Sequence, residues 1–151
     1  MRKITTLLTV LFSLVLCEKA SAQLSIGNKS EGAKQLITVQ QMWAWLYEND
    51  GHVYYVCKTD NQFDSWIWLD LGQNYEEAAQ TTGALIDALE AASKGDTLEI
   101  DSRGEKYLLS CDILLGARIY YIHPIDTRNV YAGVGPMNMS ALKKALKFLK
   151  K

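Results

Sequence analysis

Residues 43–58 read WAWLYENDGHVYYVCK. Asn49-Asp50-Gly51 divides this stretch, because Asp and Gly accept the left-handed backbone that a tight hairpin turn demands. On the return side, Val53-Tyr54-Tyr55-Val56 is an unbroken β-branched and aromatic run, and such side chains fit a pleated, half-buried surface. The stretch therefore predicts an antiparallel hairpin, and the chain on either side extends the pattern. Upstream, residues 35–47 read as the incoming strand. A helix is the alternative there, because Thr38 and Gln41 have capping-box spacing and Val39, Met42, Trp43 and Leu46 recur at helical intervals. Downstream, polar residues 59–64 make a turn, and residues 65–71 form a third strand.

Residues 74–94 predict a helix. Asn74 caps it and Glu77 closes the capping box, while Ala78, Thr82, Leu85, Ile86 and Leu89 line one face. Gly95 occupies the expected C-terminal cap. Gly83 weakens a helix interior, so it is read as a point of close packing. Strands return at residues 97–100, 106–111 and 117–122, with a turn at Ser102-Arg103-Gly104 and a short last strand at 129–134. A second amphipathic helix runs from Ser140 to Lys151, capped by Asn138 or Ser140. Its apolar stripe is Leu142, Ala145, Leu146 and Leu149, and lysines take the other side. Lysines there offset the helix dipole and keep the outer face wet.

Ile119-Tyr120-Tyr121-Ile122 echoes the first tyrosine run. Each copy is followed by an aspartate-bearing turn (Asp60 or Asp126), an aromatic strand and a helix, at an offset of about 63 to 66 residues, the spacing of a diverged internal repeat. The expected fold is α+β: mainly antiparallel sheet with two amphipathic helices, a pattern that also fits a duplicated β-β-β-α unit.

The first 22 residues have the layout of a secretory signal. Arg2 and Lys3 precede an apolar run at 7–16, and Ala20-Ser21-Ala22 matches the cleavage pattern. The apolar run is too short for a membrane span, which needs about 20 residues. Export to the periplasm or the extracellular space is expected, with cleavage after Ala22. Residues 23–33 then form a flexible leader and 34–151 a single domain, with no transmembrane span. Of 16 basic and 17 acidic residues, three basic and one acidic fall within 1–22, which leaves 13 against 16 and a net charge of −3. That balance gives no basic surface for nucleic acid.

Cys17 departs with the leader. Cys57 and Cys111 remain, and an oxidising compartment predicts that they form a disulfide; two buried free thiols are the alternative. Only two histidines exist, His52 and His123. They allow a thiol-dependent hydrolase using Cys57 or Cys111 with His123, oriented by Asp60 or Asp126, but no local signature accompanies the set. No G-x-S-x-G elbow, zinc spacing or phosphate-binding glycine loop is present. Asn28-Lys29-Ser30 and Asn138-Met139-Ser140 match the glycosylation sequon. No cofactor or metal is expected.

The tryptophans form two W-x-W pairs, Trp43-Ala44-Trp45 and Trp66-Ile67-Trp68. Residues i and i+2 of a strand share a face, so each pair sets two indoles side by side. Indoles offer large area and one donor at small entropic cost, the profile of an interaction surface. The expected function is an exported, non-catalytic module binding a protein or envelope partner through Trp43, Trp45, Trp66, Trp68, Tyr54 and Tyr120. A carbohydrate-binding module is the first alternative, and the thiol hydrolase is the second. The apolar Ala44 and Ile67 between the indoles leave open a sheet covered on both sides.

Overall fold

A computed structural model of the chain describes residues 32–60, 66–102, 105–125 and 135–151. Strands β1 (Lys34–Gln40), β2 (Ala44–Asn49), β3 (His52–Lys58) and β4 (Trp66–Gly72) form one antiparallel sheet in chain order, followed by helix α1 (Tyr75–Ala91). Strands β5 (Thr97–Ser102), β6 (Glu105–Leu114), β7 (Ala117–Pro124) and β8 (Gly135–Met137) form a second such sheet, and helix α2 (Met139–Leu149) follows. The class is α+β as expected. Among the described residues each half carries four strands before its helix, where three were predicted in the first half and four in the second.

The additional strand in the first half comes from residues 35–47. They form a hairpin, not one continuous strand, because Met42 takes the left-handed conformation at φ 64° and Trp43 N donates to Gln40 O at 3.1 Å. Methionine carries no turn signature, so nothing in the residue types marked this reversal. The Asp50-Gly51 turn is where it was expected, with both residues left-handed at φ 50° and 78°.

Asn74 caps α1 by accepting the Glu77 amide at 2.9 Å, while Glu77 Oε2 reaches back to Gln73 N. The predicted face of α1 is buried, including Ala78, Thr82, Leu85, Ile86 and Leu89. The helix stops at Ala91, short of the expected end. Gly95 lies instead in the turn before β5, where its amide donates to Cys111 O. Gly83 does not mark close packing, since a Cβ there would meet nothing within 4 Å. In α2, Asn138 is the cap, accepting from Ser140 N at 2.7 Å.

One core joins both halves. It takes Leu46, Tyr55, Cys57, Ile67 and Leu69 from the first sheet and Tyr107, Leu109, Cys111, Tyr120 and Ile122 from the second. The buried faces of α1 and α2 complete it, and the helices pack on one another as an antiparallel pair. Lys143 meets Glu90 at one end of that pair, and Tyr75 meets Phe148 at the other. Gly135 of β8 lies so close to the first sheet that a Cβ would sit 2.6 Å from Cys57 Sγ. Both exposed edges of the first sheet meet polar side chains. Lys144 Nζ donates to Thr38 O of β1, and Ser102 Oγ accepts Asp70 N of β4. Such contacts blunt an edge against further strand pairing.

The expected disulfide does not form: Cys57 and Cys111 are both free and buried. They lie in different sheets of the shared core as packed thiols, and spacing along the chain could not show that.

The predicted leader at 1–22, the sequon at Asn28, the turn at Arg103-Gly104, Asp126 and the strand at 129–134 lie outside the described residues.

Candidate functional site

Alternation gives the first sheet two apolar faces. Ala44 and Leu46 of β2, Tyr55 and Cys57 of β3, and Ile67 and Leu69 of β4 point into the core. The opposite face carries Trp45 and Tyr47, Tyr54 and Val56, and Trp66 and Trp68. Tyr47, Tyr54, Val56 and Trp68 are buried there as a cluster of their own, with Ala33 and the half-buried Trp45 and Trp66 packed against them.

The ring geometry follows from the register. Strand β3 separates the two tryptophan-bearing strands, and Val56 stands between Trp45 and Trp68. Valine is small enough for rings on β2 and β4 to meet across it diagonally. Trp45 and Trp66 lie 5.0 Å apart with their planes tilted by 51°. Tyr47 and Trp68 are 5.3 Å apart, and Tyr54 meets Trp68 edge-on at 5.7 Å. These are the separations at which offset and edge-to-face pairs are favourable. The Trp68 indole N–H is buried in this layer and has no hydrogen-bond partner among the described residues.

The face has two distinct ends. At one, Trp43 O accepts the Lys58 amide, so pairing continues beyond β2 into the β1–β2 turn. Trp43 is 39 % exposed, so the apolar face opens at this end, and Met42 in the adjoining turn is 70 % exposed. At the other, His52 Nδ1 lies 3.1 Å from Asp70 Oδ2, and Asp70 Oδ1 accepts the Gly72 amide at 2.8 Å. His52 in turn packs on Tyr54 at 6.3 Å.

Of the residues singled out in the sequence, Trp45, Trp66, Trp68 and Tyr54 come together on this face, and Trp43 stands at its rim. Tyr120 is elsewhere: it is buried in the second sheet, and its Oη donates to Leu89 O at 2.9 Å. Tyr47 and the His52–Asp70 pair were missed. Tyr47 was accessible by period-2 counting from Trp45, whereas His52 and Asp70 meet only through the β3–β4 register.

The thiols and His123 are not assembled. Cys111 opposes Tyr120 on the core face of β6, while His123 opposes Leu108 on the other face of that sheet. Burial pushes the Cys57 thiol up to about 12. The Cys111 thiol is also raised, chiefly by burial, with Arg118 opposing and Asp96 and Asp112 reinforcing the shift. Both thiols are thus held in the protonated, weakly nucleophilic form at neutral pH. Among the described residues no cluster of His, Cys, Asp or Glu could hold a metal ion, and no helix is long and apolar enough to cross a membrane.

Compared with protein-family models, curated proteins and solved structures, the chain has no match.

Proposed function

We propose that this chain is an exported, non-catalytic binding module that holds a protein or envelope component on the aromatic face of its first sheet. The observation carrying this reading is the half-buried Trp45–Trp66 pair resting on the buried Tyr47, Tyr54 and Trp68 rings. Rings already packed against one another lose little freedom when a partner arrives, so their contact area translates into affinity. Trp43 extends the surface at one end.

The 51° tilt favours a protein over a sugar, since pyranose rings stack best on a flat aromatic platform. The test is a photo-crosslinking amino acid at position 43 or 66, with Glu99 on the second sheet as the control position. Expected is a recurrent adduct with one envelope protein from positions 43 and 66 alone, competed by the unlabelled protein but not by its W45A/W66A variant. Adducts equal from all three positions, or competition unchanged by that variant, would reject the aromatic face. A glycan array retaining one sugar through Trp45 and Trp66 would replace the protein partner with a carbohydrate.

The matching order of elements in the two halves supports descent from one duplicated unit. The tyrosine echo at an offset of 66 pairs Tyr54 with Tyr120, which face opposite ways. Aligning the two glycine turns at an offset of 65 pairs Tyr55 with Tyr120, both in the core. The units then correspond hairpin for hairpin, with Asp50-Gly51 answering to Leu115-Gly116.

A further inference from the structure

The β6–β7 hairpin outruns its sheet. Pairing with β5 ends at Ser110 and pairing with β8 ends at Tyr120, yet β6 and β7 remain paired through Asp112–Ile119, Ile113–Arg118 and Leu114–Ala117. Three rungs at about 3.3 Å per residue make an arm of roughly 10 Å beyond the four-stranded body. Its tip is aliphatic and open: Ile113 is 40 % exposed, Leu114 59 % and Leu115 100 %. Leu115 and Gly116 are both left-handed, at φ 51° and 82°. A two-residue turn of this kind strongly prefers Asn or Asp before the glycine, as Asp50 stands before Gly51. A fully exposed leucine there is poor for folding and poor for solubility.

The base of the arm is fixed to α1. Arg118 Nη1 donates to Glu90 O, and Lys94 Nζ lies 3.5 Å from Asp112 Oδ1. Arg118 forms no salt bridge with a carboxylate among the described residues, and it stands opposite Ile113.

We infer that this arm seats the protein on a phospholipid bilayer, with Ile113, Leu114 and Leu115 at the headgroup–acyl boundary and Arg118 and Lys94 level with the phosphates. Lipid suits the tip better than a protein pocket does. Protein hot spots are rich in Trp, Tyr and Arg and poor in Leu, whereas acyl chains require no directional partner. Insertion is shallow, because the turn's own backbone groups must stay hydrated among the headgroups. The arm's length lets the tip enter while the folded body stays clear. This inference is independent of the aromatic face, which lies on the other sheet.

The test is co-sedimentation of the protein, purified as the cell processes it, with phosphatidylcholine vesicles made with and without phosphatidylglycerol. The wild type is expected to sediment with both, and more strongly with the anionic ones. L114D/L115D loses at least tenfold in bound-to-free ratio, while M42D, altered at an exposed apolar turn on the other sheet, binds as wild type. Leu115→Asn provides the fold control: it melts at a higher temperature than wild type and still binds vesicles less. A double variant that binds like wild type overturns the inference, as does an M42D loss of equal size. So does a wild type left in the supernatant with both vesicles, and capture of a protein through Leu115 in that case would assign the arm to a protein pocket.

Discussion

Gly83 stands inside α1 with open space where a Cβ would lie. An interior helical glycine costs about 1 kcal/mol against alanine, chiefly in backbone entropy, and no neighbour here needs the gap. Gly83→Ala should therefore raise stability by about that amount, read as a shift in the urea midpoint at unchanged slope. Leu115 argues the same way from the opposite chemistry. A left-handed L-residue other than Gly, Asn or Asp costs roughly 1–2 kcal/mol, so Leu115→Asn should recover part of that in a thermal melt. These positions also mark where residue-level reading stops. Asp50-Gly51 was legible because its residue types suit its backbone. Met42 and Leu115 adopt the same left-handed backbone without the matching chemistry, so no local rule could find them. A helical glycine signals a possible close approach, and only the neighbours decide whether one exists.

At the scale of elements, strand alternation placed Trp66 with Trp68, and the same period 2 carried on from Trp45 reaches Tyr47, which the sequence reading passed over. Which face the helices would cover did not follow, because β2, β3 and β4 are apolar on both sides. The aromatic layer then divides by burial. Trp68, buried beneath its neighbours, is a structural member, and Trp68→Ala should cost about 3–5 kcal/mol in urea unfolding. Trp45 and Trp66 retain solvent contact, so each alone should cost distinctly less. Their rings touch, and a double-mutant cycle between W45A and W66A should return a coupling of about 0.5–1.5 kcal/mol. A coupling of zero would mean that the pair is not preorganised, which removes the main support for its binding role. The helices were legible from their caps and stripes, because Asn74, Asn138 and the buried faces obey local rules.

For the molecule as a whole, the decisive contacts join the two sheets, and these are what the sequence conceals. Cys57 and Cys111 were expected to pair because an oxidising compartment favours it, but their distance depends on how two separate sheets meet. The meeting point is Gly135 against Cys57, with Ile67 and Ile122 alongside. Gly135→Ala should overpack this junction and cost about 1–3 kcal/mol, and Cys57→Ala, by vacating the sulfur's volume, should relieve part of that cost in the double variant. The same burial makes stability depend on alkaline pH. Cys57 is raised from 9.0 to about 12 when folded, so between those values the folded thiol keeps a proton that the unfolded chain releases. Its contribution is complete below pH 9 and disappears as pH rises toward 12, at a slope of about 1.4 kcal/mol per pH unit. Tyr55 and Tyr107 are raised too, both chiefly by burial, and they steepen the fall above pH 10. Denaturant titrations at successive pH values should thus show level stability up to about pH 9 and a decline above it. The difference between wild type and Cys57→Ala isolates the thiol's share, which should grow by about 1.4 kcal/mol per unit across that window. Parallel curves for the two proteins would mean that solvent reaches Cys57 in the native state, and with it the junction between the sheets.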